Sequence, residues 1–281
     1  MKITVLGTAA ATSMPLTFCN CNVCKESRRL GGKNIRKRSS IIINDDLLID
    51  LGPDSINACC MYGIDAGQIK YLLQTHSHSD HFDAGHFVTR WSEYAVKDLQ
   101  HLDIICSKGT AIDMNHWINE NENIDLFDKK FQDDLNYSLN IIKDGETINI
   151  GDYRITAIDS KHDDRIEGLI YIISYQSKNI LYATDLLEIT DAAWSVFKNY
   201  RFDVVFFDQT YGKGYNAGGH PDAEMIANYV KKMNEEKMID NDSLVYGTHI
   251  SHEGNDIHEK MEALAISNGY HIAYDGLIIE I

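Results

Sequence analysis

The chain has 281 residues, of which 44% are hydrophobic and 24% charged, and a formal net charge of −16. That composition belongs to a globular protein able to bury a sizeable core, not to a disordered or fibrous one. The acidic balance disfavours generic nucleic-acid binding, which wants a basic footprint, and no apolar run approaches a membrane span.

Ile3–Leu6 reads as a first strand running into a glycine loop. With one lysine before it, this run is too short for a secretory core, although Ala9–Ala11 faintly resembles a cleavage site, so a cytoplasmic chain is expected. Cys19, Cys21 and Cys24 follow as C-x-C-x-x-C, a metal-ligand spacing in a loop at about 19–24, with a disulfide as the alternative. Cys59, Cys60 and Cys106 read as small hydrophobes. Between Lys25 and Arg38 lie seven basic residues against one acid, Glu26. Two readings stand: a solvated loop, or a positive field beside an active site that attracts an anionic substrate.

Ile41–Ile43 and Leu47–Ile49 flank Asn44-Asp45-Asp46 as a hairpin. Ile69–Leu73 reads as a buried strand, and the chain's densest chemistry comes straight after it: Thr75-His76-Ser77-His78-Ser79-Asp80-His81. On an extended chain His76 and His78 share a face and can grip one ion. Asp80 and His81 come as the chain turns, and can face a second ion. Imidazoles with a carboxylate suit zinc, manganese and iron alike. Ile104–Cys106 is the next strand and Thr110–Ile118 a helix. Asn119–Asp134, rich in Asn, Glu and Asp, reads as a solvent-facing loop or helix end.

In the second half, Tyr153–Ile158, Leu169–Tyr175, Asn179–Ala183, Val204–Phe207, Leu244–Tyr246 and Leu277–Ile279 read as strands. Ala192–Lys198, Ala223–Glu236 and Ile257–Ile266 read as helices. This mixture predicts layers of the α/β class. Polar residues ending strands converge on one edge of such a fold. His162, Asp185 and His249 each follow a strand in this way.

With H-x-H-x-D-H these three complete a pattern that resembles the metallo-β-lactamase superfamily. The resemblance runs from Gly7-Thr8 to Tyr274-Asp275-Gly276 and implies an αββα four-layer sandwich over a single domain, 1–281. It implies one ion on His76, His78 and His162, another on Asp80, His81 and His249, and Asp185 bridging them. Asp50 matches an early strand-end aspartate that orients a ligand imidazole. Gly7-Thr8-Ala9, Pro15, the three cysteines, the basic stretch and Ser39-Ser40 look like one branch of the superfamily. That branch contains the phosphonate-pathway cyclic phosphodiesterase and the pyrroloquinoline quinone biosynthesis B protein. It implies a structural zinc on Cys19, Cys21, Cys24 and His252, and a catalytic histidine at His220.

The activity so implied is that of a metal-dependent hydrolase: a phosphodiesterase acting on a small anionic phosphodiester, cyclic ones included. A hydroxide activated by two divalent ions (Zn, Mn or Fe) would attack, Asp80 and His220 carrying the catalysis with His220 as general acid. The alternatives are a non-hydrolytic biosynthetic or binding protein of the quinone-pathway type and a tRNA 3′ processing-like nuclease. A homodimer is compatible with the sequence, and neither a membrane nor a nucleic-acid partner is expected.

Overall fold

The computed structural model describes residues 1–94, 96–215 and 218–281. In chain order the first half contains β1 (Lys2–Gly7), α1 (Asn22–Leu30), β2 (Ser40–Ile43), β3 (Leu47–Ile49), α2 (Ser55–Met61), β4 (Tyr71–Leu73), α3 (Ala84–Val88), β5 (Leu102–Cys106), α4 (Lys108–Glu122), α5 (Lys129–Asp134) and β6 (Tyr137–Ile141). The second half contains β7 (Thr147–Ile150), β8 (Tyr153–Asp159), β9 (Leu169–Tyr175), β10 (Lys178–Ala183), α6 (Asp191–Phe197), β11 (Val204–Asp208), α7 (Ala223–Glu235), β12 (Leu244–Thr248), α8 (His258–Ser267), β13 (His271–Ile272) and β14 (Ile278–Glu280).

The strands form two seven-stranded sheets, ordered β14-β1-β2-β3-β4-β5-β6 and β13-β12-β11-β10-β9-β8-β7. Alternation within the strands sorts three apolar layers. Ile41, Ile43, Leu73 and Ile105 meet Ile155, Tyr171, Ile180 and Phe206 between the sheets. Ile42, Leu72 and Ile104 face outward onto Ala58, Phe87 and Met114 of α2, α3 and α4. Leu181, Val205 and Phe207 face outward onto Trp194, Ile226 and Met261 of α6, α7 and α8. Both faces of each sheet are therefore buried, which is why the strands read as unbroken apolar runs. The arrangement is the expected αββα four-layer sandwich.

Topology, more than packing, positions the site. β3, β4 and β5 run parallel, as do β10, β11 and β12. Their carboxyl ends lie at one edge of the sandwich, the place where α/β sheets collect polar loops. Asp50 follows β3, the histidine loop follows β4, Asp185 follows β10, Asp208 ends β11 and His249 follows β12.

Several elements differ from the sequence reading. Part of the basic stretch is helix α1, amphipathic but with little apolar content. β6, β7 and β13 are short edge strands; β6 and β7 do alternate apolar and polar residues, over five and four positions, a signal the sequence reading passed over, and β13 has only two residues. The acidic segment holds the end of α4 and then α5, whose Asp128 caps it by accepting from the Lys130 N–H at 2.8 Å. The expected hairpin at Asn44-Asp45-Asp46 is present, with Asn44 and Asp45 at φ 49° and 61°, as tight turns between twisted strands require.

Candidate metal centre

The loop after β4 leaves the sheet at Gln74 and turns within the next eight residues. His76 Nε2 lies 3.1 Å from His78 Nδ1. His162, arriving after β8, places its Nε2 3.5 Å from Asp185 Oδ1, and His76 Nε2 is 4.0 Å from the same oxygen. On the other side, His81 Nε2 and His249 Nε2 each lie 3.0 Å from Asp185 Oδ2. Asp80 Oδ2 is 3.0 Å from His81 Nε2 and 3.7 Å from His249 Nε2. The Asp185 carboxylate thus sits between two groups, one oxygen toward each. Ligands at 2.0–2.1 Å around a tetrahedral ion are separated by about 3.3 Å, so both groups have the dimensions of a coordination shell.

The donor atoms fit metal ions better than they fit one another. His81 Nε2, His249 Nε2 and Asp185 Oδ2 are buried and, although close together, align for no hydrogen bond. Orphaned buried polar atoms are costly unless something completes them. Burial works against a charged His81, but Asp80, Asp185 and Asp50 outweigh it and hold its pKa well above the usual range. A centre that draws a proton onto a fully buried imidazole is one that asks for positive charge. Burial, reinforced by His81, keeps His76 neutral, as a ligand must be.

Around these residues a shell of hydrogen bonds fixes the rings. Asp50 Oδ2 meets His81 Nδ1 at 2.7 Å, while Oδ1 accepts from the Thr75 N–H at 2.8 Å and the Gln74 amide at 3.1 Å. The Thr75 hydroxyl is 3.0 Å from His76 Nδ1. On the far side, the Thr210 hydroxyl donates to Asp208 Oδ1 and lies 2.7 Å from His249 Nδ1. Asp208 Oδ2 meets His220 Nδ1 at 2.8 Å. Gly52 is required by close approach: a Cβ there would lie 2.2 Å from the Asp80 carbonyl oxygen.

His220 stands beside this centre, its ring 4.7 Å from that of His162 and 5.4 Å from that of His249. Burial alone would lower its pKa, but Asp208, with Asp185 and Asp80 behind it, raises it to about 9. A cavity of about 410 Å³ opens over these rings, lined also by Thr12, Tyr211, Ser251 and Glu253. Among its described lining residues there is no lysine or arginine. The basic stretch is used elsewhere: Arg28 binds the carbonyls of Leu16 and Cys19, and Arg29 pairs with Glu26. Arg36 is buried, Lys37 pairs with Asp275, and Arg38 pairs with Asp54. Of the two readings of this stretch, the contacts of these five residues favour the one without a positive field over the cavity.

A second cluster lies apart from the first. Cys19 Sγ and Cys21 Sγ are 3.6 and 3.5 Å from His252 Nδ1, with Cys24 completing the group. Zn–S bonds of 2.3 Å and Zn–N bonds of 2.0–2.1 Å imply sulfur–nitrogen edges of about 3.5 Å. Against its slight burial, the His252 ring and the Cys24 N–H lower the Cys21 pKa to about 6. None of the six cysteines is in a disulfide.

All eleven residues expected as ligands, and His220, are therefore brought together in the two groups foreseen. Sequence reasoning missed Asp208, Thr210 and Gln74, and gave no role to Thr75 at the head of the histidine motif. Asp208 could have been found, since it ends an apolar strand just as Asp50 and Asp185 follow theirs; nothing marks Thr210 or Gln74 in the sequence.

A two-sheet sandwich with such a centre at its edge defines a class of metal-binding α/β proteins. The sequence model of the Beta-lactamase superfamily domain matches residues 47–249, and the chain belongs to that superfamily. A diphosphatase from the PhnP family superposes with a TM-score of 0.73 at 21% identity, over 100% of this chain and 96% of that one. The zinc-bound PqqB of Methylobacterium extorquens gives 0.73 at 17% identity, over 100% of both chains. A ribonuclease Z of Mycolicibacterium gilvum is 42% identical over 66 residues, 23% of each protein. The chain spans only 16% and 23% of the length of the curated relatives it matches. No helix among the described residues is long and apolar enough to cross a membrane.

Proposed function

We propose that this chain is a metal-dependent hydrolase that cleaves a small phosphodiester. The observation that carries the reading is the Asp185 carboxylate, whose two oxygens face His76 and His162 on one side and His81 and His249 on the other. His76, His78 and His162 would hold one divalent ion, Asp80, His81 and His249 a second, with Asp185 shared. Ions so held polarise a phosphoryl oxygen and bring the ionisation of water within reach of neutral pH. Asp50 and Thr210 keep the His81 and His249 rings turned so that Nε2 faces inward. His220 gives its Nδ1 to Asp208, which leaves the Nε2 proton for the departing oxygen. Thr12 and Tyr211 line the cavity into which the rest of the substrate would extend. Cys19, Cys21, Cys24 and His252 would hold a structural zinc with no open position. Similarity to a PhnP-family diphosphatase supports a substrate with a phosphoryl group.

The test is a chelated sample to which zinc, manganese or iron is restored singly. It is assayed on linear and cyclic phosphodiesters, a β-lactam and a thioester. Metal-dependent turnover of a phosphodiester with inert lactam and thioester is the expected result. Robust lactamase activity with an inert phosphodiester panel would sink the proposal.

A further inference from the structure

The cavity over the metal centre does not end at the histidines. His78 and Asp163 line it and also line a second recess of about 470 Å³, whose other walls include His116, Trp117 and Arg165. Ser79 and Trp117 in turn line a third, of about 420 Å³. The second recess alone has both His78 of the metal loop and Trp117 of α4 in its walls, so it is a groove that adjoins the metal centre at His78 and reaches α4.

The position of α4 is set by the metal loop itself. Ser77 donates to Asp113 Oδ2 at 2.7 Å, and Ser77 sits between two of the proposed ligands. Asp113 and Trp117 are four residues apart, so they lie one above the other on the same helix face, about 6 Å along the axis. Trp117 is 47% exposed, whereas Trp194 is 5% exposed and packed in the core. An indole half open to solvent, one helical turn from a residue bonded to the metal loop, is a large flat apolar surface at the rim of a reaction site. Aromatic side chains in such places take the faces of bases or aryl rings. Arg165 is the only lysine or arginine among the described residues lining the three recesses, and its guanidinium is paired with Asp163. The groove thus offers a ring platform and little to receive a second phosphate.

We propose that this groove binds the aromatic base of a nucleotide-type phosphodiester, with Trp117 as its stacking platform. The proposal rests on the phosphodiesterase reading and narrows its substrate class. One diester charge lies at the metal centre, and a base lies on the indole. Trp117 acts as a specificity-determining residue; it takes no part in the chemical step.

Two measurements separate this proposal from the activity it rests on. In the first, KM is compared for 2′,3′-cyclic AMP and for base-free glycerol 1,2-cyclic phosphate, in the metal-loaded protein and in Trp117→Ala and Trp117→Phe. Loss of a stacking partner should raise KM for the nucleotide by roughly 5- to 100-fold in the alanine variant. Phenylalanine should restore most of it, and KM for the base-free diester should not move. In the second, tryptophan fluorescence is titrated with AMP and with ribose 5-phosphate. AMP should quench, ribose 5-phosphate should not, and the AMP signal should vanish in Trp117→Phe. Equal KM changes for both diesters, or quenching that survives Trp117→Phe, overturns the proposal while leaving the hydrolase intact. If no diester is turned over, the functional reading fails, and the fluorescence titration alone decides whether the base site exists.

Discussion

The residues that matter most at this site are held in backbone conformations their side chains do not favour. Asp50, Asp185 and His249 have φ of 66°, 52° and 57°, in the left-handed region that costs a non-glycine residue about 1–3 kcal/mol. Each stands one or two residues past the end of a parallel strand. A strand that continued in extended geometry would send the next side chains onward along the sheet. The left-handed residue instead turns the chain at once, so the functional group stays at the sheet edge, over the centre. Asp185 is the residue on which both proposed ions depend. Asp185→Ala should lower bound metal by one or two ions per chain and cut phosphodiester turnover by more than about 100-fold, since even outer partners of ligands are worth 10–100-fold. Metal analysis of the purified variant, alongside its rate, checks this. Full metal content and full turnover would remove Asp185 from the site.

At the scale of elements, the Cys19–Cys24 loop and α1 form a clamp between distant parts of the chain. Cys21 caps α1, its sulfur accepting from the Cys24 N–H at 3.5 Å, and Arg28 in the last turn of α1 reaches back to the carbonyls of Leu16 and Cys19. His252 comes from the other end of the sequence, three residues after His249. Zinc bound there would tie the N-terminal loop to the loop carrying His249, a proposed ligand of the first centre. Cys21→Ser separates the two roles of Cys21, because serine caps a helix at least as well as cysteine but is a poor zinc ligand. The variant should lose one zinc per chain and melt at least about 5 °C lower, and its hydrolytic rate should fall with it. An unchanged zinc content would mean that the thiols bind no metal.

Across the whole molecule, a buried polar network joins the two ends of the chain. Arg36 donates to the Thr8 hydroxyl, the Ala273 carbonyl and His258 Nδ1, and the Thr8 hydroxyl donates to Asp275. Asp275 also accepts from the Lys37 N–H at 2.7 Å. Burial first, then Arg36 and Lys33, lowers the His258 pKa to about 4, against the weaker pull of Glu262 and Glu259 on its own helix; the Tyr274 ring packs 5.8 Å away. An unfolded histidine titrates near 6.5. The folded state therefore binds fewer protons between these values, so the contribution of His258 is whole above pH 6.5 and is lost as pH falls through about 4. His258→Gln keeps an acceptor for Arg36 but cannot titrate. Thermal melts at pH 7 and pH 4.5 should show a smaller acid-induced drop in the variant than in the wild type. Coincident pH profiles would show that His258 does not titrate in this way.

Much of this protein is legible along the chain because its chemistry is local and its strands are buried on both faces. Val204–Phe207 and Leu169–Tyr175 announce themselves as continuous apolar runs, and His76 to His81 hold four of the eleven expected ligands in six residues. The Cys-x-Cys-x-x-Cys spacing is equally local. What the sequence could not determine is everything that depends on residues far apart in it. Edge strands such as β7 alternate polar and apolar residues over only four positions, which is a short signal. The basic run from Lys25 to Arg38 looks like a surface field until Arg28, Arg29, Arg36, Lys37 and Arg38 meet carbonyls or carboxylates in the fold. Asp208 and Thr210 become part of the site only because β11 lies between β10 and β12. Trp117 gains its role only because Asp113, one turn away, is bonded to Ser77. Proximity in the chain marked the His76–His81 and Cys19–Cys24 groups of expected ligands, and strand ends marked His162, Asp185 and His249. The parallel strand order, which brings the ends of β3, β4, β10, β11 and β12 to one edge, decided what surrounds them.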